Sequence, residues 1–135
     1  NRYLAFARDA DLPSVRARML AVASSLGWLA PDQHRAELVQ MFNEQLAKST
    51  VSPADVDLVC ALNVDGELDQ ERDRVQVPPP WADRVSHAAF LACLGSQEDH
   101  ARVLRALTGP NDDDVLIAQV YLRHRPIDDA QELEI

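Results

Sequence analysis

Glycine and aromatic residues are scarce in this sequence of 135 residues. There are four glycines, and aromatic residues make up 5% of the chain. With so few glycines, a loop that brings its backbone close to a phosphate is difficult to build, and no G-x-G-x-x-G or P-loop pattern occurs. The G-x-S-x-G and H-E-x-x-H patterns of hydrolases and zinc peptidases are missing as well. We therefore expect no catalytic activity, no catalytic residue and no cofactor.

Long apolar runs and basic clusters are also missing. The apolar stretches fall far short of the roughly 20 residues that cross a bilayer, so no membrane insertion by this chain is predicted. The net charge is −9, and Lys48 is the single lysine. An acidic surface repels phosphates, which argues against a nucleic-acid partner. We expect a soluble domain with a protein partner; the compartment stays open, with the cytoplasm favoured.

Cysteine is limited to Cys60 and Cys93, each in an apolar stretch. In such surroundings a free cysteine behaves as a small buried hydrophobe, which is the interpretation we favour. A disulfide between the two is the open alternative, because two cysteines define no framework and no metal spacing.

No local cluster of metal ligands is apparent. No histidine stands three or four residues from another histidine or from a cysteine, so we predict packing or solvated roles for all four, His34, His87, His100 and His124. Residues 63–69 alternate like the start of a calcium loop, but Leu68 occupies the sixth position, where glycine is required, and Arg74 the twelfth. The expectation is therefore a charged surface loop and no metal.

Proline and helical periodicity indicate an all-α fold. Pro13, Pro31 and Pro53 are placed where helices begin, because proline fits the first helical turn and disrupts later ones. Apolar residues recur at helical spacing after them and predict helices from about 13 to 28, 32 to 48, 53 to 62, 81 to 94, 96 to 107 and 111 to 125. A weaker helix is predicted to begin near Asp128. On the first of these helices we expect the buried stripe to be Val15, Met19, Val22 and Leu26.

The middle of the chain interrupts this pattern. Residues 63–80 are rich in charge and end in Pro78-Pro79-Pro80, which predicts an irregular surface loop with room for a short helical turn. The length fits one domain covering residues 1–135. The sequence has no initiator methionine, and it ends in what reads as the middle of a helix; we expect a piece of a longer protein.

A repeat-like pattern occurs in two segments. The run from Asp11 to Val22, with Val15-Arg16 followed by small and apolar residues, resembles the second helix of a HEAT repeat. The segment from Asn111 to Ala118 is similar, although Leu116 stands where the arginine would be. The resemblance covers residues 1–48 and 83–125 and implies stacked antiparallel helical pairs, an α-solenoid that binds protein on one face. A closed helical bundle is the alternative arrangement.

These observations favour a non-enzymatic protein-binding or scaffold module of a larger protein. The alternatives are a regulatory or substrate-binding domain of an enzyme whose active site lies elsewhere, and a structural bundle that self-associates. In stacked pairs, the exposed side of the second helix lines the binding groove. The candidate partner-binding residues are therefore Arg16 and Arg18 on one helix and Gln119 and Arg123 on the other, whose arginines would steer an acidic partner segment.

Trp81 is a further candidate contact, because it follows the three prolines. A polyproline segment can offer an aromatic side chain to a partner. Packing of Trp81 onto its own domain is the interpretation we favour.

Overall fold

The structure, a computed structural model, describes residues 2–49 and 51–125. Within these ranges every regular element is helical and no strand occurs, which confirms the all-α class. The weak helix predicted near Asp128 lies outside the described residues. The elements are α1 (Arg2–Asp9), α2 (Pro13–Ser25), α3 (Pro31–Leu46), α4 (Pro53–Leu62), 3₁₀ turns at Asp69–Arg74 and Pro79–Trp81, α5 (Val85–Cys93), α6 (Gln97–Ala106) and α7 (Asp112–His124).

The contacts divide the chain into two compact units, Asn1–Glu44 and Gln45–Ile135, where we predicted one domain. The division also separates the charge. The first unit has five basic and five acidic residues, whereas the second has eight basic and seventeen acidic residues. The entire net charge of −9 therefore belongs to the second unit.

The first unit consists of α1, α2 and all but the last two residues of α3. Pro13 and Pro31 are the first residues of α2 and α3, as predicted, because a first-turn residue needs no intrahelical N–H bond. The short α1 was missed by the sequence pattern; it packs against α2, and its Ala7 is fully buried. Arg8 Nε donates to Glu37 Oε1 at 2.7 Å, which ties α1 to α3.

In the second unit, α4 to α7 pack around a common core. Helix α5 contacts α4, α6 and α7, and α4 also contacts α7. The largest fully buried core side chains on these helices are Val56, Val59, Phe90, Val103 and Tyr121. Helix α5 can be central because nearly all of its residues are apolar; it begins at Val85 and not at Trp81, which lies in the preceding 3₁₀ turn.

Side-chain caps begin three of these helices. Ser52 and Asp55 form a reciprocal capping box at the start of α4. Ser96 Oγ accepts from the Asp99 N–H at the start of α6. Asn111 Oδ1 accepts from the N–H groups of Asp113 and Asp114 on α7. Each cap satisfies amides that have no partner inside the helix, so the predicted helix starts have a local chemical cause.

The irregular segment between α4 and α5 is held by the buried side chain of Asn63. Asn63 Nδ2 donates to the Cys93 carbonyl at 2.8 Å and to Asp69 Oδ1 at 2.7 Å. Its Oδ1 accepts from the Leu68 N–H at 2.7 Å. The predicted short helical turn is present at Asp69–Arg74. One amide therefore joins the end of α4, this loop and the end of α5.

Gly95 lies two residues after the end of α5, next to the Cys93 carbonyl that Asn63 bonds. Its backbone φ is +94°, a left-handed conformation that residues other than glycine rarely adopt. A Cβ atom at this position would lie 2.6–2.8 Å from the carboxylate atoms of Asp69. The turn after α5 consequently requires glycine both for its backbone angle and for the space that Asp69 occupies.

The two cysteines are joined as a disulfide, with Cα atoms 4.7 Å apart. The favoured prediction of two free thiols is therefore wrong, although both residues are fully buried as expected. Sequence spacing could not reveal the pairing, because the bond depends on the ends of α4 and α5 lying side by side. It closes a loop of 33 residues around the irregular segment.

His87 connects α5 to the last residue of α3 and to the segment that follows it. Its Nε2 lies 2.9 Å from the Lys48 carbonyl and 3.2 Å from the Leu46 carbonyl. Since carbonyls only accept, Nε2 carries the proton, and Nδ1 accepts from the Ser86 hydroxyl at 3.3 Å. Burial lowers the pKa of His87 below its usual value of 6.5, while its hydrogen bonds to the two carbonyls oppose that shift. His87 therefore has the packing role expected of a histidine here.

Among the described helices, none combines the length and the apolar character needed to cross a membrane.

Reduction of the disulfide is expected to lower the free energy of unfolding by about 3–4 kcal/mol, because the unfolded chain regains the entropy of an open loop. Urea denaturation with and without a reductant measures the difference. The double variant Cys60→Ser/Cys93→Ser should resemble the reduced protein. Two reactive thiols in the unreduced, denatured chain would contradict the pairing.

Acidification is expected to destabilise the fold in part through His87. Its lowered pKa in the folded state means that its stabilising contribution is complete above about pH 6.5. That contribution is lost as the pH falls below this value toward the folded-state pKa, since the unfolded chain binds the proton first. Denaturation midpoints at pH 8 and pH 5 should therefore differ less for His87→Gln than for the wild type. Equal differences would contradict this assignment.

Candidate functional site

The face of α2 that is buried differs from the predicted one. The buried residues are Arg16, Ala17, Leu20 and Ala23, whereas the predicted stripe is exposed at Val15, Val22 and Leu26 and half-buried at Met19. Helix α2 has apolar residues on both sides, so periodicity alone allows either face to be buried. The buried side contains Arg16 between its apolar residues, whereas Val15, Met19, Val22 and Leu26 form an apolar line without a charged member, which makes that line the better core candidate by sequence.

Arg16 is compatible with burial because it has an acidic partner. Only 6% of Arg16 is exposed, and its Nη1 lies 2.5 Å from Glu44 Oε2. Glu44 is 28 residues further on, so the pattern on α2 could not reveal it. The prediction that Arg16 lies on an exposed binding surface is therefore wrong: its guanidinium is used to join α2 to α3.

The opposite side of α2 presents apolar side chains to solvent. Val15 is 44% exposed, Val22 42% and Leu26 58%. These residues are separated by seven and four positions, which places them in one line along the helix. Arg18 is also exposed, three residues after Val15 and four before Val22, so it lies beside that line. We call these four residues the α2 face.

Further exposed hydrophobic residues lie in the same unit. Of the eight large hydrophobic residues that are exposed in the described ranges, six fall between residues 6 and 28. Besides those of the α2 face, they are Phe6, Leu12 and Trp28. Trp28 keeps one edge contact, a T-shaped packing on Tyr3 with ring centroids 5.3 Å apart. Large apolar side chains left exposed in one part of a protein are candidates for contacts with a partner.

The remaining sequence candidates belong to the second unit. Gln119 and Arg123 are exposed on α7, four residues apart, as predicted. Trp81 is half-buried, and the Arg84 guanidinium lies 5.5 Å from its ring centroid, within range of a cation–π contact. Of the five candidates, Arg16 is therefore buried. Arg18 is exposed, and it lies beside apolar residues that were predicted to be in the core.

A polar cleft of about 520 Å³ lies within the second unit, beside the irregular segment. Its lining includes Tyr121 and His100, whose hydroxyl and Nδ1 are 2.5 Å apart. Burial raises the pKa of Tyr121 to about 12, and Arg125 partly offsets this. Burial also lowers the pKa of His100. Both groups are therefore neutral near pH 7, and the phenol donates its proton to Nδ1.

The charged groups of this cleft are engaged in internal contacts. Arg125 Nη2 donates to the Asn63 carbonyl at 2.8 Å, and Asp69 accepts from the Asn63 amide. His124 Nε2 contacts Asp57 Oδ1 at 2.7 Å. In the described ranges no group of three or more histidine, cysteine, aspartate or glutamate residues is arranged to hold a metal ion. The cleft thus resembles a hydrogen-bonded junction between helix ends more than a site prepared for a ligand.

Comparisons with known proteins give no relative: no family model, no curated protein and no solved structure matches this chain. Function is therefore inferred from the surfaces themselves.

Removal of the Glu44 carboxylate tests the role of Arg16. Glu44→Ala should lower the free energy of unfolding by about 1–2 kcal/mol, because a buried guanidinium loses its acidic partner while half-exposed Glu44 loses little packing. Asp32→Ala is the matched control, since it breaks the exposed Arg35–Asp32 pair of the same unit and should change stability by less than about 0.5 kcal/mol. Equal effects in urea denaturation would argue against a buried pair.

Proposed function

We propose that this chain is a protein-interaction module and that the α2 face is its main binding surface. The observation that carries the proposal is the exposure of Val15, Val22 and Leu26 in one line on a helix whose other side is already packed. A helix that is apolar on both sides requires two partners. The first unit supplies one of them, and a protein partner is the natural second.

The energy available from this face suits reversible binding. Complete burial of a valine or leucine side chain contributes about 1.5–3 kcal/mol, so burying the exposed half of three such residues contributes about 3 kcal/mol in total. Association itself costs at least about 4 kcal/mol in lost translational and rotational freedom. Additional contacts are therefore required, and Phe6, Leu12 and Trp28 are exposed in the same unit.

The HEAT-like arrangement is retained as a proposal for the first unit only. Helices α1 and α2 are joined by three residues and pack together, as in a helical pair, and α2 carries the sequence that resembles a HEAT second helix. In stacked pairs such a helix lines the binding surface. For the second unit the contacts of α5 with three other helices favour the closed bundle.

The charge distribution limits the kind of partner, and the disulfide limits the kind of compartment in which this function would operate. The first unit is neutral overall, and three of its five arginines are in ion pairs, which disfavours a nucleic-acid partner. Disulfides persist in oxidising compartments and are rare in the cytosol. The buried Cys60–Cys93 bond therefore favours an oxidising compartment over the cytoplasm expected from the sequence.

Affinity capture with a matched pair of variants tests the proposal. Val22→Asp introduces a charge into the α2 face without disturbing the buried side of the helix, whereas Gln40→Asp adds the same charge at an exposed polar position of α3 in the same unit. Proteins captured by the wild type should also be captured by Gln40→Asp and lost with Val22→Asp. Circular dichroism establishes that both variants are folded. Equal capture by both would remove the α2 face as the binding surface.

A further inference from the structure

The shape of the α2 face indicates the kind of segment that fits it; this step rests on the function proposed above. Val15, Val22 and Leu26 form a ridge along a helix, spaced by seven and four residues. Ridges of this spacing pack best against the side chains of a second helix, which interdigitate at a shallow crossing angle. An amphipathic helix with apolar residues three, four and seven positions apart therefore complements the face.

Arg18 adds a charge requirement at this ridge. In the first unit, Arg8, Arg16 and Arg35 are paired with Glu37, Glu44 and Asp32. Arg18 makes no ion pair with any residue in the described ranges. Positions 14, 15, 21 and 22, the helical neighbours three or four residues away, are Ser, Val, Ala and Val. Among the described residues the Arg18 guanidinium therefore has no acidic partner, and valines lie on both sides of it along the helix.

A partner that covers the valines also removes water from Arg18. An arginine that loses water without gaining an acceptor costs free energy, whereas a carboxylate opposite it forms a short, charge-assisted hydrogen bond. A neutral or basic residue at the opposing position would therefore be rejected. Arg18 therefore discriminates between helices that could all pack equally well against the apolar residues of the α2 face.

A second copy of this chain does not meet the requirement through α2 itself. A two-fold interface contains every residue of the face twice, so it would bring two copies of Arg18 into one contact area. Helix α2 has no acidic residue to receive either of them. Association of α2 with α2 is therefore disfavoured.

We propose that the α2 face binds an amphipathic helix of another protein, in which an aspartate or glutamate interrupts the apolar stripe and pairs with Arg18. The acidic residue decides which helices bind, and the apolar stripe supplies the affinity. The partner is thus defined chemically as an acidic amphipathic helix.

A displayed peptide library tests this inference directly. The probes are helical peptides of about 20 residues with a fixed leucine stripe and one randomised position in the middle of that stripe. Selection on the full chain should enrich aspartate and glutamate at this position, and Arg18→Lys should retain the preference. Arg18→Glu should enrich lysine and arginine instead. Replacing the selected acid by glutamine should weaken binding about tenfold, as expected for loss of a hydrogen bond between charged groups.

The outcomes separate the two proposals. No binding above the level of folded Val22→Asp would overturn the α2 face as a helix-binding surface. Binding of leucine-striped peptides without any charge preference, or with the same preference in the wild type and Arg18→Glu, would overturn the role of Arg18 and leave the face standing. Sedimentation of the wild type alone supplies the third result: a concentration-dependent dimer that Val22→Asp abolishes would show that a second copy occupies the face.

Discussion

The second unit depends on the buried amide of Asn63. Its three side-chain hydrogen bonds reach the Cys93 carbonyl, the Leu68 N–H and Asp69, and its own carbonyl accepts from Arg125. Buried backbone groups at helix ends and in loops must find partners or lose the free energy of their hydration. The Asn63 side chain, which lies at the end of α4, provides such partners for the carbonyl at the end of α5 and for one N–H of the loop between the two helices. The disulfide crosslinks the same two helices covalently.

Most of the helices could be predicted from local chemistry. Pro13, Pro31 and Pro53 begin helices because the first turn tolerates proline, and Ser52 and Asn111 cap helices through contacts three residues away or less. The predictions that were wrong concerned residues whose partners are far away in the sequence. The burial of Arg16 requires Glu44, and the pairing of Cys60 requires Cys93, and neither partner can be located by periodicity.

The error on α2 is also the most informative result for function. The helical spacing of Val15, Val22 and Leu26 predicts a core stripe, because an apolar line on a helix is usually buried by its own chain. In this chain a different side of α2 is buried. That side includes Arg16, whose guanidinium is paired with Glu44. Of the candidate binding residues, Arg18 could be selected from sequence, but its apolar surroundings could be recognised only once the buried side was known.

Gly95 has a consequence for how this chain can change during evolution. Two separate conditions exclude a side chain there: the left-handed backbone angle and the carboxylate of Asp69 within 3 Å of any Cβ. Replacing Asp69 by a smaller residue would relieve the crowding and leave the backbone strain, so no single substitution elsewhere frees position 95. Divergent descendants of this sequence should therefore keep a glycine two residues after the second cysteine, even where most of their surface residues have been replaced.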